Sequence, residues 1–511
     1  MHSFSDDRKH SEVEYVNYVD ESGSDLPKFS DKLPTSGEIE ARIEELAEIH
    51  QVNRRKLQWK MDLMIIPSIC LLYVLAYLDR INMGNANVYG LAKDLNLHGN
   101  QYNVALTVFF VPYCIFEVPS NILLKRLSPH IWLPCCVIGF GAVALSQGFV
   151  KNYGGLLATR FLLGLLETGM LPGCTYLILS WYTRDEAQKR YSFFFGSTCL
   201  AGAFGGLIAY GVHQWDGAHG LRSWQWLFIL EGAITMFCGI CFFFIIADFP
   251  ETARFISDNE RAFIKAKLSL DQGDSRHEDS SLKNYLKPFK DPKIILSGFV
   301  YFGLIIGAYG YTYFAPAIIK TFKYSDVKTQ VYSIFPWIAT FGVSMILSFV
   351  SDWTRMRFPF MALMIFVGIT GFAMLLGFEP DQVNARYAAC FLICMGMYAA
   401  LPLSITWFTL NVAGHYRKAV LSGWMIGFGN IGGIPSTFLF ETKDAPKYVR
   451  GVATCLAMTG WSFLVGLLYF FILYKANRQK RSGKADAKWD SMTDEQKKLA
   501  GDLNPSFIYS Y

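Results

Sequence analysis

The sequence predicts an all-α membrane protein of twelve spanning helices arranged as two bundles of six. Three observations carry this. Of the 511 residues, 52% are hydrophobic and only 17% charged, where a soluble domain has about 25%. Apolar stretches of spanning length, about 20 residues, recur near 62–83, 102–124, 130–150, 154–180, 191–212 and 226–247, then near 294–316, 330–350, 358–378, 386–410, 418–440 and 450–474. Between the two sets lies a polar stretch, Asp248 to Pro292. The expected organisation is a tail over 1–60, a bundle over 61–247, a loop over 248–292, a bundle over 293–474 and a tail over 475–511.

The first tail is hydrophilic and the first apolar stretch is too long for a signal-peptide core, so no secretory signal is expected. Helix is expected from Ser36 to Lys60, with Arg54, Arg55 and Lys56 beside the membrane. Orientation follows from basic residues. Lys125 and Arg126, then Arg184, Lys189 and Arg190, then Arg355 and Arg357, and finally Arg417 and Lys418 follow even-numbered spans. Arg254, Arg261, Lys265 and Lys267 add a basic central loop, with an amphipathic helix expected at 259–270. Both tails and this loop are therefore expected in the cytoplasm, although Lys320, Lys323, Lys443 and Lys447 blur the contrast. The bias accounts for the net charge of +5, and no nucleic-acid partner is expected. The eleven cysteines, mostly inside spans, read as small packing residues. No metal cluster, cofactor loop or catalytic triad is evident, so neither a cofactor nor an enzymatic activity is expected.

The halves carry a faint repeat. Arg160 and Arg386 open the fourth and tenth spans, 226 positions apart, and Trp181 and Trp407 near their far ends share that spacing. A glycine-rich helix follows each: Gly202, Gly205 and Gly206 in one, Gly427, Gly429, Gly432 and Gly433 in the other. Small residues let helices approach closely in lipid. Two parallel six-helix repeats form the layout of major facilitator transporters, with the substrate between the halves.

Within the first span lies Tyr77-Leu78-Asp79-Arg80-Ile81-Asn82-Met83-Gly84-Asn85-Ala86. Ionised groups are costly in hydrocarbon, so Asp79 and Arg80 either sit at the headgroup boundary or face an internal wet cavity. This run resembles the first-span signature of the fungal anion–cation symporter (allantoate permease) branch of the major facilitator superfamily. Gln101-Tyr102-Asn103, Glu117-Val118-Pro119-Ser120-Asn121, Arg160 to Glu167, Phe249-Pro250-Glu251-Thr252, Asn411 to His415 and Gly429 to Gly433 extend the resemblance over about 60–475. With its ending Asn504-Pro505-Ser506-Phe507, the chain is most similar to nicotinic acid permeases. One departure is Leu124-Lys125-Arg126, where the cytoplasmic gating motif normally carries an aspartate; the second half keeps Asp352 with Arg355. The fifth span lacks the Gly-Pro pair of drug antiporters.

The resemblance implies a proton-coupled carrier of a small organic anion; it is expected to work as a monomer, in the plasma membrane by default or else in an internal membrane. Arg160 is the expected anion or gating contact, since guanidinium matches a carboxylate fork. Glu167, two helical turns and about 10 Å deeper, is the expected proton carrier, with Asp79 as the other acid. Adjacent positions point about 100° apart, so Asp79 and Arg80 are expected to take different partners. Glu117 is expected to ion-pair with a loop base, Glu231 to anchor the start of its helix, and His415 to be solvated in a turn. Tyr309, Tyr313 and Trp407 are candidate flat partners for an aromatic substrate, with Asn85 and Asn430 as hydrogen-bonding candidates. Metabolite or drug efflux and a transporter-like nutrient receptor are the alternatives.

Overall fold

The computed structural model describes residues 36–272, 287–412, 415–441, 444–482 and 507–511, with backbone alone at 36–39, 118, 121, 122, 125, 184, 185, 188, 189, 270–272, 287, 415, 416 and 419. Lys443 and the Asn504–Ser506 part of the ending lie outside the described residues, as do the side chains of Lys125, Arg184, Lys189 and His415.

Ser36–Ile49 is helical, the chain turns at 50–53, and Asn53 caps the next helix through Lys56 N. The spans follow in the expected order. They are Arg54–Val88, Gln101–Leu127, Pro129–Gln147, Tyr153–Trp181, Arg184–Val212 and Ser223–Ile245, then Pro292–Lys320, Asp326–Thr354, Phe358–Gly377, Val383–Leu410, His415–Ile431 continued by Gly433–Ser436, and Val449–Arg481. Among the described residues ten of these are long and apolar enough to cross a membrane. The other two, the second and eleventh, are helical where expected and contain positions described by backbone alone.

The fourth span is not continuous. Its helix stops at Glu167 and restarts at Met170. Pro172 has no N–H to return to the Thr168 carbonyl, and the Thr168 hydroxyl donates to the Tyr113 carbonyl at 2.5 Å. The break falls directly below the most deeply placed acid of that span.

Within each half the helices pack as a bundle: first on fifth, third on sixth, second on fourth, and likewise seventh on twelfth and ninth on tenth. The halves meet through the first span against the seventh, the fifth against the eighth and the second against the eleventh. These contacts are tight at the outer end, the one opposite the basic loops. A Cβ on Gly84 would lie 2.7 Å from the Tyr313 carbonyl oxygen, one on Gly202 2.2 Å from the Trp337 ring, and one on Gly433 2.3 Å from the Phe110 ring. The small residues of the sequence repeat thus buy close approach between the halves. The seam is also hydrogen-bonded. Asn103 donates to the Thr437 carbonyl, the Thr107 and Thr437 hydroxyls pair at 2.6 Å, and Lys320 Nζ donates to Val88 O at 2.9 Å. The outer end is closed.

At the inner end the amphipathic helix, Asp258–Gln272, lies against the first bundle. Lys60 Nζ is 2.8 Å from Glu260 and Lys267 Nζ 2.6 Å from Glu186.

Candidate functional site

Below the closed outer end lies a narrow cavity between the halves. It is lined by Tyr73, Tyr77, Thr198, Tyr309, Tyr398 and Asn430, among others, from the first, fifth, seventh, tenth and eleventh spans. Aromatic walls with a few placed polar atoms are the usual makeup of a small-molecule site. Asn430 is buried, and its Nδ2 has no hydrogen-bond partner among the described residues. Tyr77 and Tyr398 join across the halves, hydroxyl to hydroxyl at 2.6 Å, and Thr312 bonds the same Tyr398 hydroxyl.

Arg80 reaches this cavity edge. It is 2% exposed, its charged end enclosed by protein. Its Nη1 donates to the Tyr309 hydroxyl at 2.6 Å, and its Nε donates to Glu167 Oε1 at 2.7 Å, with Nη2 2.5 Å from the same oxygen. Its guanidinium carbon stands 4.6 Å from the Tyr113 ring centroid and 5.1 Å from that of Phe109. Such a cation is held by one carboxylate, one phenol and two aromatic faces. Glu167 Oε2 has no partner among the described residues.

Asp79, next along the helix, turns away from Arg80. Both its carboxylate oxygens lack partners among the described residues, while its backbone oxygen accepts a long 3.4 Å bond from Arg160 Nη1. Arg160 itself is buried against the Phe228 ring, with Nε and Nη2 unpartnered among the described residues. Glu231 completes the cluster. It is fully buried rather than anchoring a helix start, and takes a 2.6 Å bond from Asn82 Nδ2; Asn85 Nδ2 in turn donates to Asn82 Oδ1 at 2.9 Å. Asn85 therefore belongs to this polar cluster and does not line the cavity.

Tyr313 lies behind Tyr309, stacked with ring centroids 5.8 Å apart. Trp407 is elsewhere: its indole N–H donates to Ser510 O at 3.0 Å at the inner end, among Phe358, Phe408 and Tyr469. It does not line the cavity. Glu117 is half-buried and makes no ion pair among the described residues. Asp352 pairs at 2.5 Å with Arg357, not with Arg355, because the chain turns through a left-handed Arg355 (φ 55°) that leaves its side chain exposed. The sequence reading missed Tyr398, Tyr73 and Asn82; only Asn82, inside the first-span signature, carried a signal.

The profile of the Major Facilitator Superfamily matches residues 69–437. An uncharacterised transporter of Schizosaccharomyces pombe is 35% identical over 439 residues, covering 85% of this chain and 87% of that protein. The high-affinity nicotinic acid transporter of Saccharomyces cerevisiae is 30% identical over 464 residues, covering 90% of this chain and 86% of that protein. Among solved structures, an inward-facing, unoccupied bacterial homologue of the human lysosomal transporter Spinster aligns with a TM-score of 0.61 at 15% identity, over 80% of this chain and 96% of that one. That likeness shows the shared fold. The relatives are fungal transporters and the matched region spans both bundles; this chain belongs to the Major Facilitator Superfamily.

Proposed function

We propose that this transporter takes up a small organic monocarboxylate of the nicotinate type together with a proton. The single observation that carries the reading is the Arg80–Glu167–Tyr309 contact at the edge of an aromatic cavity. A guanidinium already occupied by a protein carboxylate is available to a substrate carboxylate only when that acid lets go. Protonation of Glu167 removes its charge and frees two N–H groups, so substrate and proton load together. Arg80, rather than Arg160, is the anion contact in this reading, because Arg160 faces Asp79 and Phe228.

Charge balance supports the coupling. Around the site, the guanidinium groups of Arg80 and Arg160 face the carboxyls of Asp79, Glu167 and Glu231, all buried. A proton that enters with the substrate carboxylate leaves the charge of that cluster unchanged, whereas the anion alone would add a negative charge, and an uncompensated buried charge is expensive. Glu167 is the proposed carrier, with Asp79 as the second acid. Tyr73, Tyr77 and Tyr309 offer faces to a flat ring, and Asn430 Nδ2, unpartnered among the described residues, offers it a hydrogen bond. The similarity to a nicotinic acid transporter supports the substrate class.

The test is uptake of labelled nicotinate and related carboxylates by a transporter-deficient yeast expressing this chain, at pH 5 and pH 7. Uptake should be greater at pH 5 and should collapse with an uncoupler. Accumulation insensitive to both would remove proton coupling, and net loss of the compound from preloaded cells would favour efflux.

A further inference from the structure

The segment Phe507–Tyr511 occupies a slot at the inner end of the second bundle. Two asparagines hold its backbone from both sides. Asn477 Nδ2 donates to Tyr509 O and its Oδ1 accepts from Tyr509 N, each at 2.9 Å. Asn411 does the same for Ser510, at 3.0 and 2.8 Å. Trp407 Nε1 adds a bond to Ser510 O at 3.0 Å, and Arg357 N donates to Tyr511 O at 2.6 Å. Side chains are read too. Tyr509 is 4% exposed; Lys293 donates to its hydroxyl at 3.0 Å, and Lys480 Nζ lies 4.3 Å from its ring centroid. A paired amide satisfies both backbone groups of one residue as a neighbouring strand would, while the two ammonium groups select an aromatic phenol.

The first bundle carries a counterpart of the Trp407 contact, filled differently. Trp181, the repeat partner of Trp407, donates its indole N–H to Asp248 O at 3.0 Å. His130, opening the third span as Arg357 precedes the ninth, lies with Nδ1 3.1 Å from Asp248 Oδ2. There the chain leaving the sixth span supplies the contact at once. The twelfth helix instead runs on to Arg481, which takes the chain past the equivalent position.

We propose that Phe507–Tyr511 is an intramolecular peptide ligand of this slot, bracing the inner ends of the seventh, tenth and twelfth spans and the eighth–ninth turn into one body. The partners named all belong to the second half, so the segment stiffens that half as it moves. It does not bar the path between the halves.

The test uses the purified protein lacking residues 507–511 and a labelled synthetic peptide, Phe-Ile-Tyr-Ser-Tyr. The shortened protein should melt at a lower temperature than the full chain, bind the peptide saturably and regain its melting midpoint when peptide is added. Asn411→Ala in that background should weaken peptide binding roughly ten-fold. Should the shortened protein not fold, the full chain carrying Asn411→Ala and Asn477→Ala is compared with the unaltered chain by hydrogen exchange, with faster exchange expected at residues 509 and 510. Absence of saturable binding with unchanged melting, or unchanged exchange in the double variant, overturns the proposal. Uptake that rises when the segment is removed also overturns it, in favour of an inhibitory tail.

Discussion

The Arg80 guanidinium lies 2.5 Å from the Glu167 carboxylate, with the two side chains 2% and 1% exposed. A buried pair of this kind contributes little to stability by itself, because desolvation offsets the attraction, but removing one partner strands the other charge. The pair is therefore better understood by what displaces it. A substrate anion and a proton together restore the same balance of charge that the pair has alone.

Arg80→Gln should abolish the fork that a carboxylate needs. A lost charge-assisted contact corresponds to roughly a 10- to 100-fold fall in uptake efficiency. Arg80→Lys should recover little, since an ammonium does not reproduce the bidentate geometry. Initial uptake rates of surface-quantified protein check this, with melting midpoints separating transport loss from misfolding.

Glu167→Gln keeps the shape and removes the charge. Substrate binding should persist while uptake loses its dependence on external pH and on an uncoupler. A variant that still responds to both as the unaltered chain does would shift proton carriage to Asp79 or Glu231, and the same measurement on Asp79→Asn would show which.

Tyr309→Phe deletes only the hydroxyl that Arg80 donates to at 2.6 Å. Its aromatic face and the stack on Tyr313 remain, so a rise of about ten-fold in KM with intact folding is expected, the lower end of the effect of one hydrogen bond to a charged group. Competition binding with unlabelled nicotinate gives a second readout.

The outer seam predicts a conformational effect. Gly84→Ala puts a methyl 2.7 Å from Tyr313 O, a distance that requires backbone movement. The closed outer end should become less populated, which lowers maximal uptake and raises labelling of a cysteine introduced at the outer seam (Thr107→Cys) by a membrane-impermeant thiol reagent. Unchanged labelling would show that the seam absorbs the methyl.

The central helix is held by acids paired with lysines. Burial pushes Glu260 up, but Lys60 and Ser257 outweigh it and hold it below the ordinary 4.5; Glu186 is held against Lys267 at 2.6 Å. A depressed carboxyl stabilises the docked form above its ordinary value and loses that contribution as pH falls through it. Hydrogen-exchange protection across residues 258–269, measured against the intrinsic rate at each pH, should thus fall between pH 5 and pH 3.5, modestly, since the Lys60–Glu260 pair is partly exposed and screened.

Hydropathy and spacing by themselves determined the spans, the two halves, the amphipathic helix near 258 and the Trp181–Trp407 correspondence. These are properties of single segments: length in lipid, periodicity and small-residue clusters act before any helix meets another. The tertiary structure alone decided what each polar residue faces. Asp79 and Arg80 are neighbours in sequence, yet one turns toward Arg160 and the other toward Glu167 and Tyr309, from a different helix and a different half. Trp407 sits at the end of a span as expected, but its partner comes from residue 510, about a hundred positions away. Helix rotation and crossing are fixed by how side chains interlock across the whole bundle, and no local pattern records that outcome.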